Sequence, residues 1–169
     1  DSEGREQIDY EKCIFCGKCM ANCPFGAIMA KYQLFDVIKN IMEGKKVVAM
    51  YAPAIGAQFK GLKPGQLDGA LLEAGFSKVW EVAAGADMTA MLAKKADPDC
   101  VTVFVGPCLA KKREGMDSDT VDYVLTVDEI SSLFAAKQIE PSKAPEKPEK
   151  YVPTVSGRNF AKTGGVAQS

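Results

Sequence analysis

Between Cys13 and Pro24 the chain reads Cys-Ile-Phe-Cys-Gly-Lys-Cys-Met-Ala-Asn-Cys-Pro, a Cys-x-x-Cys-x-x-Cys-x-x-x-Cys-Pro run. This is the spacing by which a chain holds a 4Fe-4S cluster. The first three thiolates can wrap one cubane corner by corner, while the fourth, stiffened by Pro24, points away and normally ligates the neighbouring cluster of a two-cluster domain. Cys13, Cys16, Cys19 and Cys23 are therefore the expected metal ligands. Residues Asp1 to Lys12 hold no cysteine. Either Cys23 closes the same cluster, giving one cluster, or a second motif lies N-terminal to Asp1 in the full-length protein, giving two; the second is the expectation. The competing reading is a zinc knuckle, but structural zinc sites usually come as two separated ligand pairs.

The other residues narrow the chemistry. There are six cysteines and no histidine in 169 residues, which excludes Ser-His-Asp and Cys-His catalysis and any histidine-ligated metal. A net charge of -1 offers no basic footprint for nucleic acid or an anionic membrane. The longest apolar run, Val47 to Ile55, is too short to span a bilayer, and the first residues lack the basic and apolar regions of a signal peptide. Cluster-bound thiols fit a reducing, anaerobic setting, so a cytoplasmic location is expected.

Along the chain, Ile8 to Ile28 forms the iron-sulfur segment, with Pro24 to Ile28 expected as a turn and short strand. Tyr32 to Met42 changes period: Leu34, Phe35, Ile38, Ile41 and Met42 recur at helical spacing, ended by Gly44. Apolar runs then alternate with helical patterns. Strands are expected at Val47 to Ala52, Lys78 to Val82, Val101 to Val105 and Val121 to Leu125, and helices at Leu67 to Ala74, Ala86 to Lys95 and Val127 to Lys137. The pattern predicts an α/β fold, a parallel sheet with helices on both faces, carrying a small α+β iron-sulfur module. Its divisions are 1–43, 44–138, an exposed proline-rich linker over 139–153, and a continuation over 154–169.

Ligands in such folds sit beyond the carboxyl ends of the strands. Three loops occupy those ends: Tyr51-Ala52-Pro53-Ala54, Ala83-Ala84-Gly85-Ala86-Asp87 and Gly106-Pro107-Cys108. Each could be a plain strand-to-helix turn, but three together are less ordinary. Cys108 is followed by Lys111, Lys112 and Arg113, and cations near a thiol favour the thiolate that binds metal or attacks electrophiles. For Lys111 and Lys112 the plain alternative is a solvated basic turn. Thr163-Gly164-Gly165-Val166 permits close backbone approach, without the spacing of a phosphate loop.

These segments together resemble the iron-only (FeFe) hydrogenases, specifically their catalytic domain joined to a ferredoxin-like domain. Pro107-Cys108-Leu109-Ala110-Lys111-Lys112-Arg113-Glu114 looks like the family's P-C-x-x-K-x-x-E, and Ala52-Pro53-Ala54 like its first catalytic loop. Gly75 to Trp80 with Ala86 to Thr89, then Asp122 to Thr126, then Thr163 to Val166, follow in family order. The resemblance implies an H-cluster, a 4Fe-4S cubane joined through a cysteine to a two-iron subsite with CO and cyanide ligands. It makes Cys108 a cubane ligand, and Lys111 a donor to a cyanide, with Glu114 orienting Lys111 or its loop. Pro53, Ala54 and Pro107 would line the cofactor, and Gly164 would lie against it. Electrons would come from ferredoxin or another redox protein, protons and dihydrogen would be the reactants, and maturation proteins would install the cluster.

Two departures matter. The family carries T-S-C-C-P between the helix that matches Ala86 to Ala96 and the strand that matches Val101 to Val105, and a further cysteine pair beyond Thr-Gly-Gly-Val; neither is in this chain. A missing segment near Ala96-Asp97 is the expectation. Gly106 stands where well-studied catalytic members have methionine, as in branches that include hydrogen sensors. Cys100 matches no ligand position and reads as a buried strand-edge cysteine. The expected function is reversible proton reduction at an H-cluster; the alternatives are a hydrogen-sensing homologue or a non-catalytic electron carrier or assembly factor.

Overall fold

The computed structural model describes residues 7–82 and 86–147. Gly164, the Thr163 to Val166 segment, the division at 154–169 and Ala83 to Gly85 lie outside the described residues.

Short runs of Val, Ala, Met, Tyr and Phe with both faces apolar suit strands buried on two sides. They form β1 (Val47–Tyr51), β3 (Val101–Gly106) and β4 (Tyr123–Thr126), which join β2 (Lys78–Glu81), a Lys-Val-Trp-Glu strand that is only partly buried, in a single parallel sheet of order β2-β1-β3-β4. The register sets Val47 against Val101 and Val103 against Tyr123. Side chains alternate across the sheet. Val47, Ala49, Tyr51, Val103, Val105 and Leu125 enter one core, with α2 (Leu34–Met42), α3 (Gln66–Glu73) and α6 (Val127–Ala136). Val48, Met50, Phe104 and Val124 enter the other, against α4 (Ala86–Ala96). The cysteine segment contributes the one-turn helix α1 (Lys18–Asn22), and α5 (Ala110–Met116) follows the Cys108 loop. No helix among the described residues is long and apolar enough to cross a membrane.

Four local expectations are corrected. Pro24 to Ile28 makes the turn, with Gly26 N donating to Cys23 O at 3.2 Å, but no strand, because none of the described residues pairs with it. On α2 the buried stripe centres on Val37, flanked by Leu34, Ile38 and Ile41, whereas Phe35 and Met42 lie 84% and 81% exposed on the outer face. The sequence pattern passes over α5, whose Lys-Lys-Arg-Glu run has no apolar stripe to announce it. The described half of the linker is not free: Ile139 and Ala144 are buried, and Gln66 Nε2 donates to Ser142 O at 2.7 Å. Gly69 has no Cβ because the Pro145 carbonyl rests on its backbone.

Asp97 N closes the helical bond to Ala93 O at 2.9 Å, and Cys100 N then bonds to Asp97 O at 3.1 Å, so α4 turns directly into β3.

Candidate iron-sulfur segment and the Cys108 loop

The cysteine segment is shaped by its backbone. Phe15 and Gly17 both have positive φ, at 54° and 76°, which folds the chain back between successive thiols; glycine is suited to this, and a bulky side chain is not. Cys16 and Cys19 are exposed, and Cys13 and Cys23 half-buried. Beyond Pro24 the chain curls around the fourth sulfur, and Ala27 N donates to Cys23 Sγ at 3.3 Å. That bond, followed by backbone donors at Phe25 and then at Ile28 and Gly26, holds the Cys23 thiol below its ordinary range against the opposing effect of burial. Among the described residues no three His, Cys, Asp or Glu side chains are gathered as a metal site. The fit to a cubane rests instead on the donor set: four thiols at ligand spacing, no competing imidazole, and amide N–H groups turned toward a sulfur.

This segment packs against the second cysteine-bearing loop. A Cβ on Gly17 would stand 2.7 Å from Leu109 Cδ1, so the turn between Cys16 and Cys19 presses on the residue after Cys108. Arg113 of α5 lies 6.0 Å from the centroid of the Phe15 ring. Cys108 itself is exposed, as is Pro107.

The carboxyl ends of β1, β2 and β3 share one edge of the sheet. Ala52 N bonds to Val105 O at 3.0 Å and Val82 N to Tyr51 O at 2.9 Å, so the loops after those strands leave side by side. Pro53, half-buried, and Ala54, exposed, open a 3-10 turn, Pro53–Ala57, on this edge. Lys111 is bound by Glu114, with Nζ 2.6 Å from both carboxylate oxygens, and lies 5.9 Å from the Phe104 ring centroid. Lys111, Glu114, Phe104, Asp87 and Gly115 line a cleft of about 10 Å³, room for roughly one water. Gly106 is buried, and a Cβ there would meet Phe104 Cε1 at 2.8 Å, so this ring fills the space a side chain at 106 would need.

The remaining thiol is elsewhere. Cys100 is 4% exposed at the start of β3, and burial first, then the Asp97 carboxylate, pushes its thiol up. From Cys100 to the far end of β3 is about 20 Å of extended chain, several times the width of a cubane. Cys100 and Cys108 therefore cannot share one, and outside the Cys13 to Cys23 segment the chain does not hold a ligand set for an H-cluster.

Sequence reading placed Lys112 beside the Cys108 thiol or in a solvated basic turn, and passed over Glu129. Lys112 is a buried cation, 6% exposed, with Nζ 2.8 Å from Glu129 Oε2. The Thr-x-x-Glu capping box at Thr126 to Glu129 was the available signal, since it fixes where that carboxylate points.

A model of the iron only hydrogenase large subunit, C-terminal domain, matches residues 45–96 and 88–169, two overlapping stretches that meet around the α4 to β3 junction. A 4Fe-4S binding domain model matches residues 6–29. The NADP-reducing hydrogenase subunit HndD of Solidesulfovibrio fructosivorans is 33% identical over 88 residues, 47% of this chain and 15% of that protein. A FeFe-hydrogenase structure describing stepwise H-cluster assembly superposes with a TM-score of 0.55 at 21% identity, covering 73% of this chain and 52% of that one. The apo FeFe-hydrogenase of Chlamydomonas reinhardtii gives 0.52 at 21%, covering 73% and 53%. At such identities the likeness is one of fold, and the chain spans about half of those structures. The chain belongs to the iron-only hydrogenase family, its 4Fe-4S binding domain leading into sequence of the family's C-terminal domain.

Proposed function

We propose that this chain is the electron-entry part of a FeFe-hydrogenase: a cluster held by Cys13, Cys16, Cys19 and Cys23 exchanges electrons with a redox protein such as ferredoxin, and passes them toward the Cys108 loop. The observation that carries this reading is the packing of Gly17 on Leu109, which brings the cysteine segment against the Cys108 loop. The cluster, when bound, supplies one-electron redox chemistry. The chain's own residues give it thiolates and amide donors, and set it beside the loop edge of the sheet.

Proton reduction and hydrogen oxidation belong, on this proposal, to a longer polypeptide. Its H-cluster domain would begin within 44–138, carry the segment missing at Ala96-Asp97, and add the ligands that Cys108 lacks. The two-piece family match, meeting near that junction, supports the missing segment. Cys108 would then be a cubane ligand, Lys111 a hydrogen-bond donor held in place by Glu114, and Pro53, Ala54, Pro107 and Gly164 the lining. A reducing cytoplasm is the setting these thiols require.

A second reading is favoured by the separation of Cys100 from Cys108: the chain as it stands is an electron carrier that keeps the relay cluster alone. Infrared spectroscopy of the full-length protein, matured anaerobically, separates the two. CO and cyanide stretching bands establish the hydrogenase reading. Iron and sulfide at one or two clusters per chain without those bands, after confirmed maturation, establish the carrier.

A further inference from the structure

Among the described residues β4 is the last strand of the sheet, and no strand lies on the outer side of its backbone. Side chains take that place at Val124. Its N–H donates to Gln33 Oε1 at 2.9 Å, and its C=O accepts from Lys112 Nζ at 2.8 Å. Gln33 stands where the chain leaves the cysteine segment and enters α2. Lys112 lies on α5, four residues beyond Cys108. Two distant parts of the chain thus meet on the backbone of one residue.

Glu129 ties them together. Its Oε1 accepts from Gln33 N at 2.7 Å. Its Oε2 accepts from Thr126 N at 2.8 Å, Thr126 Oγ1 at 3.0 Å and Lys112 Nζ at 2.8 Å. A capping box asks of this glutamate only the bond to the N-cap N–H. The bonds to Gln33 and Lys112 are additional, and the side chain that makes them is 2% exposed. A carboxylate taken out of water in this way is stable only with its donors in place, so it fixes the positions of all of them.

We propose that Glu129 is a positioning residue for electron entry, holding Gln33 and Lys112 on the edge of β4 so that the cysteine segment is kept at a fixed distance from the Cys108 loop. The inference rests on the relay reading above. α5 is gripped from two sides: Lys112 points inward to Glu129 and Val124, while its neighbour Arg113 faces the Phe15 ring of the cysteine segment. Electron tunnelling falls steeply with distance, so loosening Gln33 slows transfer without removing a ligand. Gln33 is the informative position, because replacing it leaves no charge buried alone.

The test compares the wild-type chain with Gln33→Ala, loaded anaerobically with iron and sulfide and carrying a nitroxide on exposed Cys108. A reduced paramagnetic cluster shortens the nitroxide's spin relaxation according to their separation. The expected result is weaker relaxation enhancement in Gln33→Ala at unchanged iron content. Amide exchange over residues 24–33 should rise about tenfold, the effect of losing roughly one buried hydrogen bond, with β1 and β3 still protected. Unchanged relaxation together with unchanged exchange over 24–33 would overturn the proposal, as would an even loss of protection through the whole chain. If no cluster assembles in the wild type, the relay reading fails instead, and the exchange comparison, which needs no cluster, still decides whether Gln33 holds the segment.

Discussion

Lys46 Nζ sits 2.6 Å from Asp97 Oδ2, joining the residue ahead of β1 to the turn by which α4 passes into β3. The hydrogen bond from Lys46 holds the Asp97 carboxyl below its ordinary range, and the same bond raises Lys46. A depressed carboxyl contributes stability above its unfolded pKa and loses it as pH falls through the native value. The acid limb therefore begins near the unfolded aspartate value of about 3.9 and extends below it. The raised lysine contributes below its unfolded value of about 10.4 and is lost as pH climbs past that. Asp97→Asn should lower the urea midpoint at pH 7 and flatten both limbs; parallel curves for mutant and wild type at low salt would show that the pair has no such role.

Adjacent lysines should behave oppositely. Lys112→Ala leaves Glu129 buried without its cation and should cost about 3–5 kcal/mol in urea unfolding. Lys111→Ala breaks a pair whose side chains are 37% and 52% exposed, and should cost at most about 1 kcal/mol. Similar losses at both positions would refute the assignment of Lys112 to the interior.

Gly69→Ala places a methyl against the Pro145 carbonyl, which is backbone and cannot rotate away. The variant should lose about 1–3 kcal/mol and expose residues 139–147 to protease. Gly56→Ala, with nothing within 4 Å of its added Cβ, is the matched control and should cut no faster than wild type.

Cys16→Ser should sharply reduce cluster iron and sulfide after anaerobic loading, whereas Cys100→Ser should leave both unchanged. The contrast follows from one thiol lying exposed in the ligand run and the other buried at the start of β3. Equal iron loss in the two variants would place Cys100 in a metal site after all.

The sheet and its helices were legible in the sequence because their signal is local: Val47 to Tyr51 is a short apolar run, and Leu34 to Met42 has helical period. The iron-sulfur segment was legible because the spacing itself is the chemistry, and the 4Fe-4S binding domain model matches it over residues 6–29. What escaped depends on contacts between distant residues. Lys112 reads as a solvated turn until Glu129, seventeen positions later, is brought beside it. α5 has polar sequence because its packing against β4 is made by Gly115, whose missing side chain leaves room for Val124, rather than by large apolar residues. The stretch after Ile139 carries linker composition, yet Gly65 and Gly69 on the facing side of α3 give its backbone a place to lie. Spacing could not show that Phe35 and Met42 face outward, because both choices of stripe on α2 contain enough apolar residues.

The turn at Asp97 lies at the amino end of the sheet, where Val101 N also bonds to Lys46 O at 2.9 Å, while the Cys108 loop leaves the carboxyl end. Length and chemistry are thus mechanically decoupled in this architecture. The α4 to β3 connection is made at one end of the sheet, and the loops that carry Pro53 and Cys108 leave from the other. Foldability is therefore a poor witness to cofactor capacity in such a chain: the contacts that close the amino end of the sheet are made by Lys46, Asp97 and Val101, and none of these is an expected ligand.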